Sequence, residues 1–498
     1  MKKIISTIPL IMTFSLTVVS LTVQAANKVV IIGVDGMGGH YISQTPTPTL
    51  DNMASEGAHT LSMQNVLPVI SGPNWTAMIS GSYPSKNKVT SNIDLYKNQV
   101  ETLFSAYREQ YPQGEMWTLY EWQGFQSLLN ASDAFQINEH VAEATAIPQT
   151  IALMQNQTCL PDLLFLHLDY VDHAGHSEGW GSLPYLNAIK QADSQIGDLL
   201  DAIDHCDDTD KVTVMVISDH GGFKETHQSW DNAVSRSIPF YITGPNIKSQ
   251  YEITDTVRIW DLSAMVATIL NVTIPHSWVS QPIHSVFEDE NHQASETILP
   301  SNLSQYSTTN TYTQVYHSTG TGVKNDVSIW TPDMNNQQGY TINQIAVEGL
   351  QAPSMNSVIF IEDNPEILAK PVGYEFISYD KLSGGTQDAV YWRPIAPSGF
   401  TCISDIVTIG YEGYGLKPYD IPEPNLASFR CINSALLAKG LFHRVWTDKG
   451  SGAKMDVSVW NGINNLFAIP TYAFRARRTS YEFDFGYPLF YDLIPSSQ

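Results

Sequence analysis

Seven side chains that could hold or activate something through oxygen or nitrogen lie beside four apolar runs of this 498-residue chain. The run Val214-Met215-Val216-Ile217 stops at Ser218-Asp219-His220-Gly221-Gly222, and His227 follows on the next loop. Lys28 to Val34 stops at Asp35-Gly36. Leu163 to Leu168 runs into a loop that carries Asp172 and His176. Val69-Ile70 leads to Ser71-Gly72-Pro73-Asn74-Trp75-Thr76. Mixed carboxylate and imidazole ligands suit zinc or another divalent transition metal better than calcium or magnesium. No cysteine lies in these segments, which argues against a closed structural zinc site. A hydroxyl beside such cations becomes a nucleophile when its pKa is lowered. Serine caps helices and proline favours their first position, so a helix is expected from near Pro73 with Ser71 at its mouth. Free amides and the positive dipole end suit a phosphate there.

The elements that must position these groups are legible in the same runs. From residue 28 to about 287, short buried strands alternate with helical segments, which predicts a mostly parallel sheet between two layers of helices. Such sheets place their sites at the C-terminal ends of the strands. Helices are expected over Leu183 to Leu200 and Trp260 to Leu270, and a modest cap or helical insertion beside the site over Val100 to Ala146. His167 alternates with apolar neighbours and reads as a core histidine. Asp169 and His173 fit the ligand spacing less well than Asp172 and His176. Thr76 lies inside the helix, away from its anion-binding end. Glu225 reads as a solvated loop carboxylate rather than a partner orienting a ligand.

Together these segments resemble the alkaline phosphatase superfamily, and within it the type I phosphodiesterase / nucleotide pyrophosphatase branch. The resemblance covers roughly residues 28 to 287 and includes Thr47-Pro48-Thr49-Leu50-Asp51, Ser80-Gly81-Ser82-Tyr83-Pro84, Ile238-Pro239-Phe240 and Gly244-Pro245. It implies two divalent metal ions, zinc above all. One would be held by Asp35, Ser71, Asp219 and His220, the other by Asp172, His176 and His227. It also implies that Asn74 hydrogen-bonds the phosphoryl oxygens. The chain departs from the family at Asn87-Lys88, where His-Gly is common, and in using serine where many nucleotide pyrophosphatases use threonine.

The chain opens with Met1-Lys2-Lys3, an apolar stretch and Gln24-Ala25-Ala26, which reads as a secretory signal peptide of residues 1–25 and implies an exported, periplasmic or secreted protein. No later segment is apolar for long enough to span a bilayer. The formal charge is −24, or −26 without Lys2 and Lys3, which argues against nucleic acid or anionic membranes as main partners. It does not forbid a small phosphoester, because two bound cations invert the local field. The four cysteines are expected to pair as Cys159 with Cys206 and Cys402 with Cys431, one bridge in each domain.

The domain boundaries expected are 26–290 for the α/β part, 291–310 for a polar linker and 311–498 for an all-β part. The last contains three units of the form Asp-x-x-x-Trp after a glycine-rich turn, at Asp326 to Trp330, Asp388 to Trp392 and Asp456 to Trp460. They predict a pseudo-threefold, β-prism-like domain, and they resemble a vacuolar-protein-sorting-associated domain family. Structural roles for the Asp and Trp residues are favoured; the alternative is a glycan or cell-surface contact. The function expected is a metal-dependent hydrolase that cleaves phosphoesters through Ser71. The rivals are a sulfatase-like hydrolase, whose Cys/Ser-x-Pro-x-Arg motif is met only as far as Pro73, and an inert surface-binding protein.

Overall fold

A computed structural model describes residues 27–477, except 131–132, 157–158, 208, 228–232, 255–256, 289–305, 335–338, 398, 410–420, 438–440, 449–450, 452, 454–456 and 467–468. The expected signal peptide and most of the expected linker lie outside the described residues. The α/β part is built on one sheet of eight strands. In chain order they are β1 (Lys28–Val34), β2 (Ala58–Gln64), β3 (Met116–Tyr120), β4 (Ile137–His140), β5 (Leu163–Leu168), β6 (Val212–Ile217), β7 (Ser237–Thr243) and β8 (Tyr251–Glu252). Their spatial order is β4-β3-β5-β1-β6-β7-β2-β8. All pairs are parallel except those that β7 makes with β6 and β2. The central strands are continuous apolar runs because helices cover both faces. Val29 and Ile31 face one core with Trp75, while Val30, Ile32 and Val34 face the other with Tyr185, Ile189 and Ile196.

The helix Leu183–Asp204 begins where expected and runs four residues further than Leu200. Ser182 caps it by accepting the Tyr185 amide proton at 3.3 Å, and Pro184 stands in its first turn. The segment Val100 to Ala146 differs from the cap that was expected. It supplies the helix Leu103–Gln110 and two strands, β3 and β4, that extend the main sheet, with β4 at its edge. Trp117 and Leu119 bury their side chains in one core with Val30, Ile32, Leu164 and Leu166, while Trp122 of the same segment reaches the site, as the expected position beside it implied.

The C-terminal part is antiparallel throughout its three repeats. The three-stranded sheets pair Tyr312–His317, Val327–Pro332 and Ile345–Glu348; Gly373–Tyr379, Ala389–Ile395 and Ile406–Ile409; and Leu441–Thr447, Ser458–Leu466 and Ile469–Arg477. The register of the first strand shifts at matching positions in each, Gln314/Tyr316, Phe376/Ser378 and Arg444/Trp446. The repeats send Tyr316, Val327 and Ile329, then Ala389 and Tyr391, then Trp446, Val457 and Val459 into one apolar cluster. Trp330 donates its indole N–H to Ser328 Oγ at 2.9 Å, and Trp460 donates to Ser458 Oγ at 3.0 Å, the same bond in two repeats. Trp392 donates instead to Thr408 Oγ1 at 3.0 Å. Asp326 accepts the Ser318 hydroxyl at 2.9 Å, whereas Asp456 lies outside the described residues. The first strand of this part, Tyr306–Thr309, starts inside the expected linker and pairs with Ser357–Phe360. Both disulfides form as expected, Cys159 with Cys206 and Cys402 with Cys431. No helix among the described residues is long and apolar enough to cross a membrane.

A buried carboxylate ties two of the repeats together. Asp405 accepts Arg393 Nη2 at 3.1 Å, Arg475 Nη1 at 2.7 Å and the Ala476 amide at 2.8 Å. Burial pushes its pKa up, but the two guanidinium groups overcome this and hold it below the usual value. A carboxyl whose folded pKa is depressed contributes stability above its unfolded pKa and loses it as pH falls through the folded one. Asp405→Asn should therefore lower the melting temperature at neutral pH, by about 3–5 kcal/mol in stability because two buried cations lose their partner. The difference between wild type and variant should shrink in melts recorded below about pH 4, the ordinary aspartate range.

Candidate metal centre and nucleophile

The central strands bring the chemistry to one edge. β1 lies between β5 and β6, with Val34 opposite Leu168 and Gly33 opposite Ile217. Asp35, Asp169 and Ser218-Asp219 therefore leave the sheet side by side. Asp172 and His176 stand on a helix, Tyr170–Glu178, and not on the loop expected from sequence. Their i, i+4 spacing puts both on one helix face, with His176 Nε2 3.5 Å from Asp172 Oδ2.

Ser71 is the first residue of the helix Ser71–Ser80, two residues earlier than the start expected at Pro73. Ile70 occupies the cap position with extended backbone and has no side chain that can cap the helix; Asn92, from elsewhere in the chain, takes the Gly72 amide. The Ser71 hydroxyl thus serves no cap; its Oγ lies 3.3 Å from His220 Nε2.

Each carboxylate is half used. Asp35 Oδ2 accepts the Trp75 indole at 2.9 Å and His167 Nε2 at 3.2 Å. Asp219 Oδ1 accepts the Gly36 amide at 3.1 Å and the His220 amide at 2.9 Å. Their other oxygens, Asp35 Oδ1 and Asp219 Oδ2, are buried without a hydrogen-bond partner, as is Asp172 Oδ1. The imidazoles follow one rule. His176, His220 and His227 each direct Nδ1 to a backbone carbonyl, of Glu225 at 3.2 Å, Gly221 at 3.2 Å and Val69 at 2.7 Å. Donation at Nδ1 leaves Nε2 as the lone-pair nitrogen in all three. His176 Nε2 and His227 Nε2 are 3.0 Å apart. His220 Nε2 lies 3.3 Å from Asp219 Oδ2 and 3.5 Å from Asp35 Oδ1.

Burial and mutual repulsion dominate the electrostatics. Burial, then the Asp35 charge, pushes Asp172 and Asp219 well above the usual carboxylate range. Burial, then the neighbouring His227, drives His220 well below the usual imidazole range. Burial brings His227 down to about 4. Asp35 stays below its usual value because the His167 bond and the His220 field outweigh its burial. Partnerless oxygens and bare nitrogens of this kind fit divalent cations, whose charge reverses such shifts. Asp35, Asp219 and His220 form one group within 4.8 Å, and Asp172, His220 and His227 form another. His220 stands between the two.

Five of these groups, Asp35, Ser71, Asp172, His176 and His227, line a cavity of about 140 Å³ together with Ile70, Asn92, Trp122, Asp169 and His173, while Asp219 and His220 are fully buried beside them. The structure so brings together all seven side chains read as ligands. It does not bring Asn74 to them. The Asn74 side chain is fully buried and spent on its own loop, accepting the Val66 amide at 2.7 Å and donating to the Ile70 carbonyl at 3.0 Å. Asn92 lines the cavity instead, and its Oδ1 accepts the Gly72 amide at 2.7 Å. Its only sequence signal is a place in the polar turn Ser91-Asn92-Ile93-Asp94. His167 is a buried histidine, as expected, and its ring also holds Asp35 in place. Thr76 is buried and donates to the Gly72 carbonyl at 2.6 Å. Asp169 and His173 reach the cavity rim, where His173 meets Glu143 and lies 3.4 Å from Asp169. The Glu225 side chain is exposed; only its carbonyl bears on the site.

The sequence model of the type I phosphodiesterase / nucleotide pyrophosphatase family matches residues 29–134 and 129–237. Ectonucleotide pyrophosphatase/phosphodiesterase family member 3 of Mus musculus is 23% identical over 215 residues, which are 39% of this chain and 24% of that protein. Bis(5'-adenosyl)-triphosphatase enpp4 of Xenopus laevis is 20% identical over 263 residues, 48% of this chain and 58% of that protein. The solved murine ectonucleotide pyrophosphatase / phosphodiesterase 5 superposes with a TM-score of 0.43 and 16% identity, covering 50% of this chain and 96% of that one. The chain thus spans about a quarter of the length of the first curated relative it matches. The family model and the curated sequence relatives support the resemblance read from sequence over residues 29–237. The family model does not extend into the β repeats.

Gly33 permits the Trp75–Asp35 contact, since a Cβ there would meet Trp75 Cη2 at 2.5 Å. Gly33→Ala should push the indole aside and cost about 1–3 kcal/mol of stability by overpacking. Without its indole donor, Asp35 should also hold metal less well, read as zinc content after dialysis beside a thermal melt.

Proposed function

We propose that the chain is an exported, zinc-dependent phosphoric ester hydrolase, a phosphodiesterase or nucleotide pyrophosphatase, with Ser71 as nucleophile. The observation that carries this reading is the Ser71 hydroxyl at a helix N-terminus, 3.3 Å from His220 Nε2, facing three buried carboxylates that each keep one oxygen unpaired. Asp35, Ser71, Asp219 and His220 would hold one cation, and Asp172, His176 and His227 the other. Divalent ions bound there supply Lewis-acid polarisation of the phosphoryl oxygens and lower the pKa of the Ser71 hydroxyl.

The chain's own residues do the rest. Ser71 Oγ attacks phosphorus in line, and the bond to the leaving oxygen breaks as the Oγ–P bond forms. Water then cleaves the phosphoseryl ester and restores the serine. Of the amides in the first helical turn, that of Gly72 is taken by Asn92, and Pro73 has none. The remaining help for the equatorial oxygens comes from the helix dipole and the Asn92 side chain, whose NH₂ is left to donate once its oxygen is engaged. The role expected of Asn74 therefore passes to Asn92, and Asn74 holds the loop on which Ser71 sits.

A sulfatase reading finds no support at its distinguishing position. Trp75 stands where that motif has arginine, and it is fully buried with its N–H on Asp35. The inert-binder reading does not account for three buried carboxylate oxygens kept free within one cluster. Export rests on the leader-like opening and two disulfides.

The test compares bis-p-nitrophenyl phosphate with p-nitrophenyl phosphate, each with and without chelator. We expect the diester to be the better substrate, chelation to abolish turnover and zinc to restore it. Ser71→Ala should lose about three orders of magnitude or more in kcat with its fold intact, as nucleophile deletions do. A fully active Ser71→Ala protein would refute the assignment.

A further inference from the structure

The segment 65–70 joins β2 to the helix that starts at Ser71, yet its apolar side chains do not all pack in the α/β part. Leu67 and Val69, 2% and 0% exposed, enter the apolar cluster of the β repeats. That cluster holds residues from all three repeats, among them Ile329, Tyr391 and Val459. One polar contact fixes the approach. Glu375, buried in the second repeat, accepts the Leu67 amide at 3.3 Å through Oε1. The same oxygen lies 3.4 Å from Arg236 Nη2, and the Arg236 carbonyl accepts the Asn65 amide at 3.2 Å.

The strap delivers two groups to the cavity. Ser71 follows Val69 by two residues, and the Val69 carbonyl receives His227 Nδ1 at 2.7 Å. Moving Val69 would move the nucleophile and turn an imidazole. Asn74 closes the strap from the helix side, bonding Val66, Pro68 and Ile70. The strap is thus held by the catalytic helix on one side and the β repeats on the other.

We infer that the β repeats form part of the nucleophile's seat, with Glu375 as a positioning residue that acts on Ser71 and His227 through the 65–70 strap. This rests on the assignment of Ser71 and His227 to the reaction. It makes the C-terminal part integral to catalysis, not an attached module.

The test measures kcat and KM for bis-p-nitrophenyl phosphate on the full-length, zinc-loaded chain in five variants. Glu375→Ala removes the acceptor; Glu375→Gln keeps one for the Leu67 amide; Val69→Ala empties the seat in the cluster. Ile342→Ala lies in a separate cluster of the β part and serves as the control for mere destabilisation. Ser71→Ala tests the underlying assignment. A displacement of about 1 Å far from the chemistry can cost about 100-fold, so kcat should fall about 10- to 100-fold in Glu375→Ala and Val69→Ala. KM should change by less than about threefold, the split expected when only the reacting geometry is lost. Glu375→Gln should recover most of the rate, and Ile342→Ala should melt earlier yet keep wild-type kcat. Wild-type kcat in both Glu375→Ala and Val69→Ala overturns the inference, as does an equal loss in Ile342→Ala. If Glu375→Ala does not fold, Val69→Ala decides. An inactive Ser71→Ala beside active strap variants removes this inference alone, whereas an active Ser71→Ala removes the assignment beneath it.

Discussion

Three carboxylates and three imidazoles, all buried except the exposed His176, converge so that each keeps an electron pair unused. No protein donor answers Asp35 Oδ1, Asp172 Oδ1 or Asp219 Oδ2. Like charges in a low-dielectric interior repel strongly, and isolated ions there are costly. The chain responds by pushing two acids up and two imidazoles down, the opposite of what ion pairing would do. Such an arrangement persists only because the surrounding fold enforces it. Unpaired carboxylate oxygens and lone-pair nitrogens so arranged suit divalent cations, whose charge would reverse these shifts.

The enforcement is spread over elements that differ in kind. Parallel register along β5, β1 and β6 sets where the carboxylates emerge. Trp75 and His167 occupy one oxygen of Asp35 and so aim the other. A backbone carbonyl behind each of the three imidazoles selects its tautomer. Trp75 and His167 are themselves buried, so their positions are decided by packing and not by solvent.

Much of this was legible in the residues. β-branched runs that end in Asp or His announce strand termini, and the resemblance gave the ligands an order. What escaped reading needed three dimensions. Asn74 and Asn92 are both asparagines near a nucleophile, and only the turn of the chain shows that one faces inward to its loop and the other faces the cavity. Asp172 and His176 sit four apart, a helical spacing that the preceding strand pattern obscured. Val100 to Ala146 has the composition of a surface insertion, yet its short segments Met116–Tyr120 and Ile137–His140 pair at the sheet edge. Leu67 and Val69 look like ordinary core residues, because nothing local tells which core receives them.

The Cys159–Cys206 bridge bears on how such a site is assembled. It closes a span of 47 residues that holds β5, Asp172, His176 and the long helix Leu183–Asp204. In the loop-closure picture a link of that size removes about 4 kcal/mol of freedom from the unfolded chain. Asp172 and His176, most of one ligand set, are thereby tethered before they meet their partners beyond β1 and β6. In a compartment that keeps the thiols reduced, the segment that carries Asp172 and His176 would enter folding with that freedom restored.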